Sequence, residues 1–130
     1  MSIAQKILLW LAAIFFVAAG ANHFRSPELY LGMMPPWLPW PEALNYLSGA
    51  AEILGGLGLL WRSWRRLAAW GLIALLLAVF PANIYVAMQG EMPGLDVSPL
   101  TLWLRLPLQA VFMAWVWWVA LADRGRSPSD

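Results

Sequence analysis

Four long apolar stretches, separated by basic or proline-rich breaks, constrain the fold of this chain more than any other feature. They cover about residues 3–21, 42–61, 67–88 and 99–121. At about 1.5 Å of helical rise per residue, each stretch is long enough to cross most of a bilayer core. The sequence therefore predicts an all-α integral membrane protein, a four-helix bundle with up-down-up-down topology.

The composition favours lipid as the surroundings and excludes several classes of function. Hydrophobic residues make up 62% of the chain and charged residues 12%, whereas soluble domains are about half apolar and a quarter charged. A net charge of +1 argues against a nucleic-acid partner. Because the chain has no cysteine, disulfides, thiolate metal sites and a thiol relay are excluded. With one histidine, no metal ligand set is expected.

The length fits one transmembrane domain, residues 1–122, followed by a short polar tail, 123–130. Ser26 followed by Pro27 predicts the start of a short interfacial helix that ends near Met33. The prolines of segment 34–41 exclude a regular helix there. This segment is interpreted either as a lid at the membrane surface or as a plain connector. Residues 3–21 also fit a signal peptide, but we expect them to be retained as a span.

The charged residues predict how the bundle lies in the membrane. The basic residues that share one predicted side are Lys6, Arg62, Arg65, Arg66, Arg124 and Arg126. By the positive-inside rule that side is the cytoplasm, so both termini are expected inside a plasma (inner) membrane. The longer loops on the opposite side carry Glu28, Glu42, Glu91 and Asp96, and Pro93-Gly94 predicts a turn between the last two spans.

Polar residues converge on the extracytoplasmic half of the predicted bundle. Glu52 lies in a glycine-rich stretch of span two, on a face of small and polar residues that also carries Asn45 and Ser48. Span one ends at Asn22 and His23. Span three carries Asn83 beside Pro81, and span four carries Arg105 and Gln109 on one face. The candidate ligand-binding residues are His23, Glu52, Asn83, Arg105, Gln109, Asn22 and Ser48.

Two of these residues have two interpretations each. Glu52 either forms an interhelical salt bridge with Arg105 or belongs to a ligand or proton site, because charges inside a membrane pair and also mark functional sites. His23 is either a solvated histidine at a helix end or a general acid or base. No catalytic residue is assigned, and we do not expect the chain to be an enzyme on its own.

Four motifs resemble those of the DoxX-like family of small four-helix membrane proteins. They are Gly20-Ala21-Asn22-His23-Phe24, Met34-Pro35-Pro36-Trp37-Leu38-Pro39, Ser48 to Gly56 with Gly58-Leu59-Leu60, and Phe80-Pro81-Ala82-Asn83-Ile84-Tyr85. The resemblance implies a bacterial plasma-membrane protein. Some members are linked to quinone-coupled oxidation of sulfur compounds or to maturation of redox enzymes, and a vertebrate branch assists receptor assembly. Members associated with thiol chemistry need cysteines, and this chain has none.

Three classes of function are compatible with these observations. In the first, the chain is an accessory subunit of a redox system, and its outward-facing polar pocket binds a small lipophilic molecule with quinone as a possible cofactor. In the second, it helps to assemble another membrane protein, or a homo-oligomer, through the same polar face. In the third, it is a small transporter or membrane isomerase that uses Glu52 as a proton carrier or as an acid–base group.

Overall fold

Five helices form the part of the chain that the computed structural model describes, residues 2–91 and 98–121. They are α1 (Ile3–Arg25), α2 (Pro27–Met33), α3 (Pro41–Leu60), α4 (Arg65–Gln89) and α5 (Pro99–Ala120). All except the short α2 are long and apolar enough to cross a membrane. The prediction of an all-helical chain with four such helices is confirmed, and within the described residues no strand occurs.

Local hydrogen bonds set several helix ends. The hydroxyl oxygens of Ser2 and Ser98 accept from backbone amides in the first turns of α1 and α5, as expected of N-cap serines. The first helix continues to Arg25, past the end predicted near residue 21. Two polar side chains of its last turn, Asn22 and His23, have hydrogen-bond partners elsewhere in the bundle.

The proline-rich segment 34–40 is irregular between α2 and α3. It contains a turn in which the Leu38 amide donates to the Pro35 carbonyl at 3.1 Å. Trp40 adopts a left-handed backbone conformation with φ of 47°, which is unfavourable for a residue with a side chain. Its carbonyl accepts the Leu44 amide at 3.0 Å and so begins α3.

Helices α1 and α3 pack against each other more extensively than any other pair of described helices. Gly20 lies against Gly49, and Gly56 lies against the backbone of Ala13. Side chains larger than hydrogen at these glycines would hold the two helices apart, as is general for small residues at helix interfaces in membranes. Further packing joins α3 to α4, α4 to α5 and, less extensively, α1 to α5.

Two apolar clusters fill the bundle. The larger cluster is built around Leu9, Phe16, Leu59, Leu72 and Val116. The smaller cluster packs α2 onto the other helices through Met33, Val86, Ala87 and Leu102. Arg105, which contacts Met33, and His23, which stacks on Tyr30, lie on the side of the bundle that holds the smaller cluster.

Large apolar side chains also cover the outside of the bundle. Leu54, Leu77 and Trp10 are 70%, 57% and 56% exposed, and at most a third of each candidate span is buried. Such a surface is compatible with contact to lipid, since exposed apolar area of this extent marks a membrane or an interface.

Several predictions concern residues outside the described ranges. These are the turn at Pro93-Gly94, the tail 123–130, and the charged positions Asp96, Arg124 and Arg126. They stay predictions.

Candidate functional site

A cavity of about 180 Å³ opens among the helices beneath α2. Its lining combines polar and charged side chains with apolar ones. The lining residues are His23, Tyr30, Met33, Met34, Ser48, Glu52, Val79, Ala82, Asn83 and Arg105. Because all five helices and Met34, directly after α2, contribute to the lining, the cavity depends on the packing of the whole bundle.

One wall of the cavity is organised by Asn45, which is fully buried on α3. Its Nδ2 donates to the backbone carbonyl of His23 at 3.0 Å, and its Oδ1 lies 2.9 Å from His23 Nδ1. A carbonyl oxygen only accepts, so the amide orientation is fixed and Oδ1 must accept from the ring. His23 Nδ1 therefore carries a hydrogen, and Nε2 is the ring nitrogen left for other chemistry.

Glu52 lies next to this second nitrogen. Its Oε2 is 3.4 Å from His23 Nε2, which is longer than an ordinary hydrogen bond. The same oxygen is buried and has no hydrogen-bond partner among the described residues. On its ring face, His23 stacks on Tyr30 with 3.8 Å between centroids and 16° between planes. The phenol oxygen of Tyr30 accepts from Asn22 Nδ2 at 2.8 Å.

The opposite wall is a chain of side-chain hydrogen bonds between α4 and α5. Gln109 Nε2 donates to the Leu76 carbonyl, and Gln109 Oε1 accepts from Asn83 Nδ2. The side-chain oxygen of Asn83, Oδ1, accepts from the Arg105 guanidinium at 3.2 Å. Since the Leu76 carbonyl can only accept, the amide orientations of Gln109 and Asn83 in this hydrogen-bond network are determined. Arg105 also contacts the sulfur of Met33, 3.7 Å from each terminal nitrogen.

The structure brings together most of the residues that the sequence singled out. Those that line the cavity are His23, Ser48, Glu52, Asn83 and Arg105. Gln109 is buried behind Asn83 and positions it, whereas Asn22 contacts Tyr30 and lies outside the lining. Their role in binding a ligand stays a prediction.

Two interpretations from the sequence are corrected. Glu52 pairs with His23, and no Glu52–Arg105 ion pair forms between these two described residues. The reason is that glycines bring α1 against α3, whereas Arg105 approaches the cavity from α5. A solvated His23 is also wrong, because the side chain is buried between α3 and Tyr30.

Sequence reasoning did not include Asn45, Tyr30, Met33 or Met34 among the candidate site residues. Asn45 had a usable signal, since it precedes Glu52 by seven residues and so shares its helix face. The α2 residues had none, because their contribution depends on how that short helix folds over the bundle.

The described residues contain no cluster of three metal-ligating side chains. A larger groove, of about 460 Å³, lies on the surface between α3 and α4. Its described lining consists of small and apolar residues with Trp64 and carries no charged side chain. The groove thus offers little to orient a polar ligand, and the smaller cavity is the better candidate site.

Replacing Gln109 by leucine should destabilise the wall between α4 and α5. The change removes the bonds to the Leu76 carbonyl and Asn83, each worth on the order of 1 kcal/mol inside a membrane. We expect a lower melting temperature in detergent, followed by tryptophan fluorescence. Gln89→Leu is the matched control because Gln89 is exposed at the end of α4. Equal melting temperatures for both variants would contradict the role of Gln109.

Comparisons with curated proteins and with solved structures gave no match. The profile of one family, described as a domain of unknown function (DUF8561), matches residues 11–120. This range begins in α1, includes α2, α3 and α4, and ends with the last residue of α5. It contains every residue of the cavity lining. The chain therefore belongs to the DUF8561 family.

Proposed function

We propose that this protein is a multi-pass membrane protein that binds the polar head of a small lipophilic molecule in the cavity beneath α2. The observation that carries the proposal is the cavity itself. It places an imidazole, a carboxylate, an amide, a hydroxyl and a guanidinium around one small space. Binding sites for small molecules combine apolar walls with a few oriented polar groups in this way.

Membrane insertion with up-down-up-down topology is part of the proposal. It is supported by the four long apolar helices and by the residues that meet between them. Gly20 meets Gly49 while Ala13 meets Gly56, as expected for α1 and α3 in opposite directions. Contacts of Gly55 with Leu72 and of Gly58 with Ala68 support the same relation for α3 and α4.

We further propose that the cavity lies in the extracytoplasmic half of a plasma membrane, with both termini cytoplasmic. In the antiparallel arrangement, the start of α1 and the connection between α3 and α4 lie at the same end. This end carries Lys6, Arg62, Arg65 and Arg66. The positive-inside rule assigns such an end to the cytoplasm, and the cavity lies towards the other one.

The size and the walls of the cavity favour the ring-sized head of a ligand. Its 180 Å³ is below the 300–1,000 Å³ typical of sites for drug-sized molecules. The apolar part of the lining comes from Tyr30, Met33, Met34, Val79 and Ala82, and methionine sulfur packs favourably against aromatic rings. We therefore propose a ligand with a flat polar ring and an apolar remainder that extends into lipid.

A quinone has these properties, so a quinone-binding accessory role in a redox system is the specific form of the proposal. The resemblance to the DoxX-like family supports this form. Of the polar groups, the Arg105 guanidinium can donate hydrogen bonds to a ring carbonyl.

The decisive experiment is extraction and mass spectrometry of the small molecules that gently purified protein carries. Wild-type protein should carry one lipophilic compound in a defined ratio, and Glu52→Gln should carry at least tenfold less. Glu42→Gln is the matched control because it makes the same chemical change at an exposed position of the same helix. That variant should retain the compound.

Equal recovery of the compound from both variants and the wild type would overturn the proposed site. Empty wild-type protein that copurifies with one membrane protein would favour the assembly function instead.

A further inference from the structure

We propose that His23 and Glu52 form a proton-accepting site for a weakly acidic hydroxyl compound of the phenol type, which binds in the cavity as its anion. This inference rests on the proposed binding function and specifies the chemistry of the ligand. A quinol, the reduced form of a quinone, is a compound of this type, whereas the quinone itself has no acidic hydroxyl.

The ring of His23 is fixed in orientation by its neighbours. Asn45 holds the Nδ1 hydrogen through a bond of 2.9 Å, and Tyr30 stacks on the ring. The ring therefore cannot exchange its two nitrogens without breaking buried contacts. In neutral His23, Nε2 has a free electron pair and faces Glu52.

The carboxylate of Glu52 lies beside this nitrogen. Glu52 Oε2 is buried 3.4 Å from His23 Nε2, and the described residues give it no hydrogen bond. Once Nε2 gains a proton, this carboxylate oxygen lies beside the new N–H group and is placed to accept from it. The pair thus accepts one proton, at Nε2, and an imidazolium beside a carboxylate is neutral overall.

Charged and titratable side chains of other helices also face the cavity. Besides the pair, the titratable or charged side chains of the lining are Tyr30 from α2 and Arg105 from α5. α4 contributes Val79, Ala82 and Asn83, none of which titrates. Arg105 is held at one side by Asn83 and Met33, so a guanidinium faces the same space as the proton acceptor. This arrangement suits a ligand that loses a proton and keeps a negative oxygen.

The proton balance is simple. The O–H bond of the ligand breaks, and its electron pair stays on the oxygen, which becomes an anion stabilised by Arg105. The proton forms a new N–H bond at His23 Nε2, beside the Glu52 carboxylate. No oxidant or reductant takes part. A carboxylic acid needs no such base because it is already ionised in water at neutral pH, whereas a phenol needs one.

The test uses the fact that the chain has a single histidine. In protein labelled with ¹⁵N-histidine, the two ring nitrogens of His23 are the only imidazole signals, and they report each protonation state directly. The protein is first stripped of bound small molecules and adjusted to a pH at which Nε2 is unprotonated. 4-Nitrophenol is then added, because its phenolate absorbs visible light and reports the other half of the transfer.

We expect equal amounts of new Nε2–H signal and of bound phenolate, beyond the phenolate seen in protein-free micelles. The ether 4-nitroanisole, which has the same ring without the acidic proton, should leave the His23 spectrum unchanged. Glu52→Gln should abolish phenolate formation, whereas Glu42→Gln should match the wild type.

Two results would overturn this inference. Neither affects the proposed function, which is decided separately by the molecule that copurifies with the protein. One is binding of 4-nitrophenol as the neutral phenol with an unchanged His23 spectrum. The other is failure of 4-nitrophenol to bind the stripped protein. Conversely, if Glu52→Gln protein carried as much of the copurified compound as the wild type, that result would count against the site as a whole.

Discussion

Gly20→Ala should separate α1 from α3 and clearly lower the stability of the protein. A Cβ atom at this position would lie 2.5 Å from the Gly49 carbonyl oxygen and 2.9 Å from the Ile53 amide nitrogen. Both contacts are with backbone, which cannot rotate away as a side chain does. Overpacking of this kind costs about 1–3 kcal/mol, and we expect a correspondingly lower melting temperature in detergent.

The same variant should disturb the candidate site, because His23 follows Gly20 by one helical turn and its partners Asn45 and Glu52 lie on α3. Gly71→Ala is the control, since a Cβ atom there meets nothing within 4 Å. Alanine is the better helix former by about 1 kcal/mol, so Gly71→Ala should melt at the same or a higher temperature. A Gly20→Ala variant with the same melting temperature as the wild type would show that α1 and α3 are not in close contact at Gly20.

The glycines also explain how far the sequence could predict the site. Helical spacing placed Asn45, Ser48 and Glu52 on one face together with Gly49 and Gly56, and counting along each span placed Asn83 and Arg105 in the same half of the bundle. This part needed only the helical repeat and the lengths of the spans.

The helical repeat and the span lengths do not show which helices are neighbours in the bundle. A face of small residues shows that some helix packs closely there, but it does not identify which one. The structure places α1 against this face, so His23 rather than Arg105 reaches Glu52. The position of α2 was likewise open, because a helix of seven residues over the end of a bundle has no periodic signal of its own. Tyr30 and Met33 entered the site through that placement.

Asn45→Leu should destabilise the protein and also change the chemistry of His23. Asn45 is fully buried, and its amide satisfies both the ring and the backbone carbonyl of His23. Leucine has a similar size but removes both hydrogen bonds, each worth about 1–2 kcal/mol between membrane helices. We therefore expect a melting temperature clearly below that of the wild type.

The second expected effect separates a specific role of Asn45 from a merely structural one. Without the Oδ1 acceptor, nothing in the described contacts holds the hydrogen of neutral His23 on Nδ1, and the ring is free to place it on Nε2 towards the Glu52 carboxylate. The ¹⁵N spectrum of this single histidine should change from the Nδ1–H form to the Nε2–H form. Asn22→Leu provides the comparison, because it loses only the partly buried bond to Tyr30 and should keep the Nδ1–H form. If Asn45→Leu also retained that form, Asn45 would not control the position of the proton on His23. Some other contact would then have to keep Nε2 of the neutral ring unprotonated, as acceptance of the ligand's proton requires.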